Sequence, residues 1–299
     1  MSEVGVTPEP TILVTGVNGQ VGFELLRSLQ GLGRVVACDR SMLDLSDLDR
    51  VRSVVRELKP SIIVNPAAYT AVDKAETDVD AARRLNAEVP RAFAEEAARL
   101  GAALVHYSTD YVFDGTKEGA YVETDATNPQ NVYGLTKLEG EQAIAATGCA
   151  HLILRTSWVY GRRGKNFLLT MLKLGSERPE LRVVADQVGA PTWSKTIATA
   201  TAHIVAQALA ADDADWWAQR SGVYHFTSAG ATSWHGFAEA IFAQAMGEHA
   251  PKVLPIPASD YPVPAKRPSN SRLSHDKLTE AFGLRLPDWA DALKLCLSE

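Results

Sequence analysis

"TILVTGVNGQVGFELLRSL", residues 11–29, runs without a break from an apolar, β-rich segment through a glycine-rich turn into a helical pattern. Gly16, Gly19 and Gly22 stand in the spacing G-x-x-G-x-x-G, with Asn18, Gln20 and Val21 among them. Three demands explain glycine at such positions: a tight turn, close approach of backbone N–H groups to a pyrophosphate, and close packing of the helix on the strand. The helix N-terminus then faces the negative charge. A turn that only packs is the competing reading. A first strand–turn–helix unit of this kind favours a dinucleotide site formed by these six residues.

The chain repeats the rhythm outward from this unit. Short apolar runs at 11–15, 34–39, 61–65, 102–108 and 151–156 alternate with helical patterns at 20–30, 47–58, 79–100 and 133–147. Strands apolar on both faces belong in a parallel sheet covered by helices on both sides. The fold class is therefore α/β, a doubly wound parallel sheet of Rossmann type. Ser46 is the expected N-cap of the second helix. After residue 160 the rhythm changes, with helical patterns at 166–177 and 193–210, a strand-like "GVYHFT" at 222–227, and a Pro-rich loop from 255. This predicts a dinucleotide-binding domain over 11–160 and a smaller, mainly substrate-binding lobe over 161–299, with later strands returning to the main sheet.

Composition narrows the function classes. The 299-residue chain is 46% hydrophobic and 22% charged, with a net charge of −6, which disfavours general nucleic-acid binding. No stretch approaches the roughly 20 apolar residues of a membrane span, and the first residues lack a basic segment followed by an apolar run. A cytoplasmic protein without membrane partners is expected. Cys38, Cys149 and Cys296 are far apart and lack metal-ligand spacing, so they read as reduced thiols.

Two further clusters carry chemistry. Asp39, at the end of the second strand, suits the adenine-ribose hydroxyls of NAD, whereas the adjacent Arg40 suits the 2′-phosphate of NADP. NADH and NADPH both remain open. Asp44 and Leu45 are adenine contacts or plain loop. "LVHYSTDYVFDG" brings Ser108, Thr109 and Asp110 to a carboxyl strand edge, where open α/β sheets place their chemistry. In "NVYGLTKLEGE", Tyr133 and Lys137 are four residues apart, about 6 Å along one helix face. Reducing a ketone requires a proton for the developing alkoxide. A phenol with a pKa of about 10 needs nearby positive charge to serve. Lys137 would supply that charge and hold the nicotinamide ribose, while Thr109 would orient the substrate oxygen.

With GVNGQVG, STDYVFDG and YGLTK in this order, the chain resembles the extended short-chain dehydrogenase/reductases. Through "NPAAYTAVDKAE", "HYSTDYVFDG", "RTSWVYG", "ADQVGAPT" and "RPSNSRL" it is similar, more narrowly, to the dTDP-4-dehydrorhamnose reductase family. The resemblance implies reduction of dTDP-6-deoxy-L-lyxo-4-hexulose to dTDP-L-rhamnose for cell-surface polysaccharide, with Thr109, Tyr133 and Lys137 catalytic. It places Ala67, Ala68, Tyr69 and Thr70 near the nicotinamide half of the cofactor. Thr70, Thr109, Asp110 and Tyr111 are then expected at the sugar. Trp158 either walls the sugar or joins the lobes; Lys266, Arg267 and Arg272 either meet the diphosphate or form a solvated basic loop. Related 4,6-dehydratases carry Asp-Glu where this chain has Asp110-Tyr111, which favours simple reduction. The family also implies a homodimer with Mg²⁺ between interface glutamates. Glu24 matches one such position, but Lys195 stands where a second glutamate would be sought. Two alternatives remain: another nucleotide-sugar reductase or epimerase, and a non-catalytic regulatory subunit of methionine adenosyltransferase.

Overall fold

The computed structural model describes residues 9–299. The first half forms β1 (Thr11–Val14), α1 (Gln20–Ser28), β2 (Arg34–Ala37), α2 (Leu48–Leu58), β3 (Ile62–Asn65), α3 (Val72–Ala75), α4 (Val79–Arg83), α5 (Val89–Leu100), β4 (Ala103–Thr109), α6 (Val132–Ala145) and β5 (Ala150–Thr156). A π turn, Arg84–Glu88, joins α4 to α5. The second half adds β6 (Val159–Tyr160), α7 (Phe167–Glu177), β7 (Glu180–Val184), β8 (Val188–Gly189), β9 (Thr192–Trp193), α8 (Ser194–Ala210), α9 (Trp216–Gln219) and β10 (Gly222–His225). It closes with β11 (Thr232–Ser233), α10 (Trp234–Met246), β12 (Lys252–Ile256), β13 (Asn270–Ser271), α11 (Asp276–Phe282) and α12 (Trp289–Ser298).

The main sheet is parallel and six-stranded, in the order β2-β1-β3-β4-β5-β10. Successive strand residues point to opposite faces, so each strand feeds two cores. Ile12, Val14, Ile62, Val64, Val105, Leu152 and Leu154 pack with α1, α8 and α11. Leu13, Ile63, Leu104 and Ile153 pack with α2, α5 and α6 on the other face. Chain order reverses on either side of β1, which opens a crevice above the carboxyl ends of β1 and β3, where such sheets bind ligands.

Several elements begin where expected, but the cap of α2 is corrected. Asp47, not Ser46, is the N-cap, its carboxylate accepting from Arg50 N–H at 3.0 Å, while Ser46 bonds the Asp44 carboxylate instead. A carboxylate one residue closer to the helix reaches the free N–H and also complements the helix dipole.

The second half divides between two bodies. β10 completes the main sheet beside β5, and α8 and α11 cover its first face. A smaller core of Tyr160, Leu168, Phe237, Ile241, Phe242 and Leu293 is built from β6, α7, α10 and α12. β8, β11 and β13 form a short sheet beside the crevice.

One ion pair lies inside the main body. Arg155 on β5 donates to both carboxylate oxygens of Glu141 on α6, at 2.9 and 2.6 Å, and both side chains are 4% exposed. Removing one member of such a pair leaves an uncompensated charge. Arg155→Met is expected to destabilise the fold by about 3–5 kcal/mol, read as a lowered urea midpoint. A midpoint unchanged from the parent would show that Glu141 does not need its cation.

Candidate active site

The glycine turn is shaped by contacts between backbones. Gly16 has φ +57°, and a Cβ there would fall 2.9 Å from the Ala67 nitrogen, so the turn after β1 lies against the loop after β3. A Cβ on Gly22 would overlap the Gly16 carbonyl, so α1 sits as close to the turn as its backbone allows. Gly19 caps α1 in extended conformation with no side-chain cap. The first N–H groups of α1 are therefore left to an external acceptor, as an anion site at a helix N-terminus requires. The Gln20 side chain turns elsewhere: it donates to Val159 O at 3.4 Å and accepts from Asn166, the N-cap of α7, at 2.8 Å. Asn18 is exposed, and Val21 packs against the first core.

At the end of β2, one Asp39 oxygen accepts from Ser41 N–H, Ser41 Oγ and Met42 N–H at 2.8, 2.6 and 3.2 Å. These bonds hold its carboxyl below the usual value. Asp44 does the same for Ser46, and Leu45 packs against the second core. Arg40 is exposed. Both carboxylates thus build turns, with Arg40 as the neighbouring cation at that sheet edge.

Thr109 ends β4, and its hydroxyl donates to Asp110 at 2.9 Å while accepting from Tyr111 N–H at 3.1 Å. Tyr133 lies in the first turn of α6, its ring edge-on to Tyr111 with centroids 5.6 Å apart. Gly134 beside it is required because a Cβ would overlap the Tyr111 carbonyl. The Asn131 side chain caps α6 at Gly134 N–H, 2.8 Å, and donates to Lys266 O, which ties the Pro-rich loop to the same helix turn. Loss of hydration pushes the Tyr133 phenol above its ordinary value, with the Thr109 hydroxyl offsetting part of that. The same cause raises Asp110 to about 6, with Ser271 and Thr109 opposing it, and raises Tyr111 to about 12, with Arg267 opposing it. Ser108 is buried at this strand end.

Lys137 lies one turn on from Tyr133, 1% exposed, and burial pushes its ammonium down to about 7, opposed by Glu141. Its Nζ donates to Tyr107 O at 2.6 Å and meets His106 Nε2 at 3.1 Å. Its hydrogen bonds therefore point into the sheet, and the groups acting on the Tyr133 phenol are Thr109, Asp110 and Tyr111. Spacing along the helix brings the two residues to one face. It did not reveal these partners.

The remaining expected residues fall around this cluster. Ala67 and Ala68 are half-buried beside Gly16, while Tyr69 is pinned by Asn86, which accepts from its N–H at 2.8 Å and donates to its carbonyl at 3.3 Å. Thr70 is exposed at the rim. Trp158 has φ +47°, strained for a bulky side chain, and stacks on Trp234 with centroids 3.6 Å apart and Gly189 close beneath. Arg267 donates to Asp73 at 2.7 Å and Tyr111 OH at 3.3 Å, and Lys266 to Gln130 at 3.0 Å. Arg272 is engaged by Asn270 Oδ1 and the Glu118 carbonyl.

Glu24 does not gather a metal site. Lys195 pairs with Glu299, and burial with the Glu299 charge raises the Glu24 carboxyl while Lys195 lowers it. The Lys195 ammonium, paired with Glu299 and also acting on Glu24, already supplies positive charge there, so these residues do not fit Mg²⁺. Among the described residues no three His, Cys, Asp or Glu side chains converge as a metal site. No helix among them is long and apolar enough to cross a membrane.

Sequence reasoning missed Asn65, His106, Asn86 and Asp73. Asn65 and His106 carried one signal: polar residues inside strands that are otherwise apolar on both faces.

Known proteins match this architecture along its length. A dTDP-4-dehydrorhamnose reductase of Burkholderia thailandensis is 54% identical over 294 residues, covering 96% of this chain and 98% of its own. One of Escherichia coli K12 is 45% identical over 296 residues, covering 96% and 97%. The structure of a dTDP-4-dehydrorhamnose reductase from Bacillus anthracis in complex with NADP superposes with a TM-score of 0.89 at 35% identity, covering 98% of this chain and 99% of that one. The family model described as RmlD substrate binding domain matches residues 10–299, and the chain belongs to that family.

Proposed function

We propose that this chain is a dTDP-4-dehydrorhamnose reductase, which reduces the C4 keto group of dTDP-6-deoxy-L-lyxo-4-hexulose to give dTDP-L-rhamnose with NADPH or NADH. The observation that carries this reading is the placement of Tyr133, in the first turn of α6 and edge-on to Tyr111, beside Thr109 at the sheet edge that also holds the glycine turn. The close similarity to reductases of that name over nearly the whole chain supports it.

The cradle of Gly16, Gly19 and Gly22 suits a dinucleotide, because side chains at Gly16 and Gly22 would fill the space that the backbone needs. When bound there, the reduced dinucleotide supplies a hydride. Asn18, Gly19, Gln20, Val21 and Gly22 would present backbone to the pyrophosphate, and Asp39, Arg40, Asp44 and Leu45 would line the adenosine side. Ala67, Ala68 and Tyr69 would lie along the nicotinamide side, where the Asn86 bonds keep the loop fixed. Tyr133 gives its proton to the sugar oxygen, and Thr109 orients that oxygen. Burial raises this phenol, contrary to the lowering by Lys137 expected from the sequence, so it stays protonated at neutral pH with its proton available to the sugar oxygen. Thr109, Asp110 and Tyr111 act on the phenol in this structure, and Lys137, one helical turn on, would add positive charge for the phenolate left behind only while it carries its proton. Thr70, Asp110 and Tyr111 would border the sugar, with Trp158 and its Trp234 partner closing the lobe side. Lys266 and Arg267 would meet the diphosphate. Arg267 is already paired with Asp73, which fixes its place and tempers its charge.

The sheet body thus takes the dinucleotide and the smaller lobe the sugar nucleotide. By the same resemblance, the protein works in the cytoplasm as a homodimer and its product feeds cell-surface polysaccharide. Light scattering on the purified protein tests the dimer.

Three outcomes check the reading, two by loss of NADPH absorbance with the keto sugar and one by calorimetry of dinucleotide binding. Tyr133→Phe is expected to lower kcat by about 10²–10⁴-fold with nearly unchanged dinucleotide affinity; near-normal turnover would remove Tyr133 as donor. Gly22→Ala should weaken dinucleotide binding by roughly tenfold, about 1.4 kcal/mol, since its methyl group displaces α1 from the turn. Calorimetry giving the parent affinity would separate the cradle from the cofactor. For reduction, kcat/KM should fall as pH rises through about 7, where Lys137 loses its proton, and Lys137→Met should abolish that limb. A flat profile in the parent protein would show that the ammonium is not used.

A further inference from the structure

Behind Lys137 a row of buried polar side chains crosses the main sheet. Thr15 Oγ1, just past β1, donates to Asn65 Oδ1 on β3 at 2.6 Å; Asn65 Nδ2 meets His106 Nδ1 on β4 at 3.1 Å; His106 Nε2 meets Lys137 Nζ on α6 at 3.1 Å. Thr15, Asn65 and His106 are each 0% exposed. Unpartnered polar groups in an otherwise apolar sheet cost stability, so a fully bonded row of this kind restricts its members to a few consistent arrangements.

The bond directions follow from which atoms hold protons. An amide nitrogen can only donate, so Asn65 Nδ2 gives its hydrogen to His106 Nδ1. A neutral imidazole that accepts at Nδ1 carries its proton on Nε2 and donates there. Lys137 must then accept from His106, which an amine can do and an ammonium cannot. It still has hydrogens for the Tyr107 carbonyl. The opposite arrangement, with an ammonium donating to Nε2, puts the imidazole proton on Nδ1. Asn65 would then have to rotate its amide, accepting from Nδ1–H and donating to the Thr15 hydroxyl, so the two arrangements differ in the direction of every bond along the row.

We propose that Thr15, Asn65 and His106 are positioning residues: a hydrogen-bond relay that sets the protonation state of Lys137, with its direction in this structure matching the neutral amine. The kinetic consequence rests on the reductase reading, whereas the relay itself does not. Burial acts the same way on both ends, holding His106 neutral and lowering Lys137. The charged or titratable groups around Lys137 are His106 from β4, and Tyr133 and Glu141 from its own helix, Glu141 being closed by Arg155 of β5. Asp110 and Tyr111 act on Tyr133 rather than on Lys137, and Arg83 pairs with Glu139 on a more exposed part of α6. No uncompensated anion among these groups overrides the relay.

The relay is tested first without substrate or cofactor. In ¹⁵N-histidine protein at mildly alkaline pH, two-bond ¹H–¹⁵N spectra should report His106 as the Nε2–H tautomer, its signal assigned by loss in His106→Gln. An Nδ1–H or doubly protonated ring would overturn the proposal, and this measurement needs no variant to be active. Asn65→Asp tests the direction. A carboxylate accepts from Thr15 and from Nδ1–H, which leaves Nε2 an acceptor and calls for an ammonium at Lys137. The variant should show the Nδ1–H tautomer and move the alkaline limb of kcat/KM upward by about one to three pH units. In a His106→Leu background the same change keeps only through-space attraction and should give a clearly smaller shift. Equal shifts in both backgrounds would overturn the relay. Failure of the wild-type protein to oxidise NADPH with the keto sugar would overturn the reductase reading and leave the tautomer result standing.

Discussion

The structure depends on how closely one helix approaches one turn. Gly22 lies against the Gly16 carbonyl, and Gly16 against the Ala67 backbone, so α1, the first turn and the loop after β3 meet with no side chain between them. That contact fixes the crevice where strand order reverses, and it aims the uncapped start of α1 into it. Thr109 reaches the same edge because β4 is in register with β3 on one side and β5 on the other. A single methyl group at Gly22 would therefore alter both the packing and the place available to an anion.

α6 is the second constraint, and it is an uncommon one. The face of a helix that packs on a sheet is ordinarily apolar, yet here Thr136, Lys137 and Glu141 are all buried on α6. Gly134 and Gly140 let its backbone touch the Tyr111 and Asn86 carbonyls, and this proximity leaves little room for water. Buried charge is tolerated only with partners. Glu141 has Arg155, and Lys137 has the Tyr107 carbonyl and His106. Packing and polar bonding are thus solved by the same side chains, one helical turn from Tyr133.

The loops around the crevice are tied by pairings that span the chain. Arg267 reaches Asp73, and the Lys266 carbonyl reaches the cap of α6. Gln20 reaches across to β6 and the start of α7. The smaller lobe is therefore attached to the glycine turn and to α6 at once. The strained Trp158 backbone sits at that junction, stacked on Trp234.

Local pattern was enough for the alternation of strands and helices, for the turn at Gly16, Gly19 and Gly22, and for the shared helix face of Tyr133 and Lys137. These features repeat every two or 3.6 residues, or concern a turn in which the positive φ of Gly16 and the close approach at Gly22 call for glycine. Asp39, Arg272 and Lys195 could not be judged in that way. Asp39 is drawn to the backbone two and three residues on, Arg272 to a distant carbonyl, and Lys195 to the last residue of the chain. Nor could the spacing of Lys137 from Tyr133 reveal that its bonds run through His106 and Asn65 to Thr15. The sequence by itself determined which elements form and which residue types stand at the sheet edge, because neighbouring residues control both. Only the tertiary structure decided which partner each charge takes, since hydrogen bonds across the sheet join residues far apart in the chain whose proximity no local periodicity encodes.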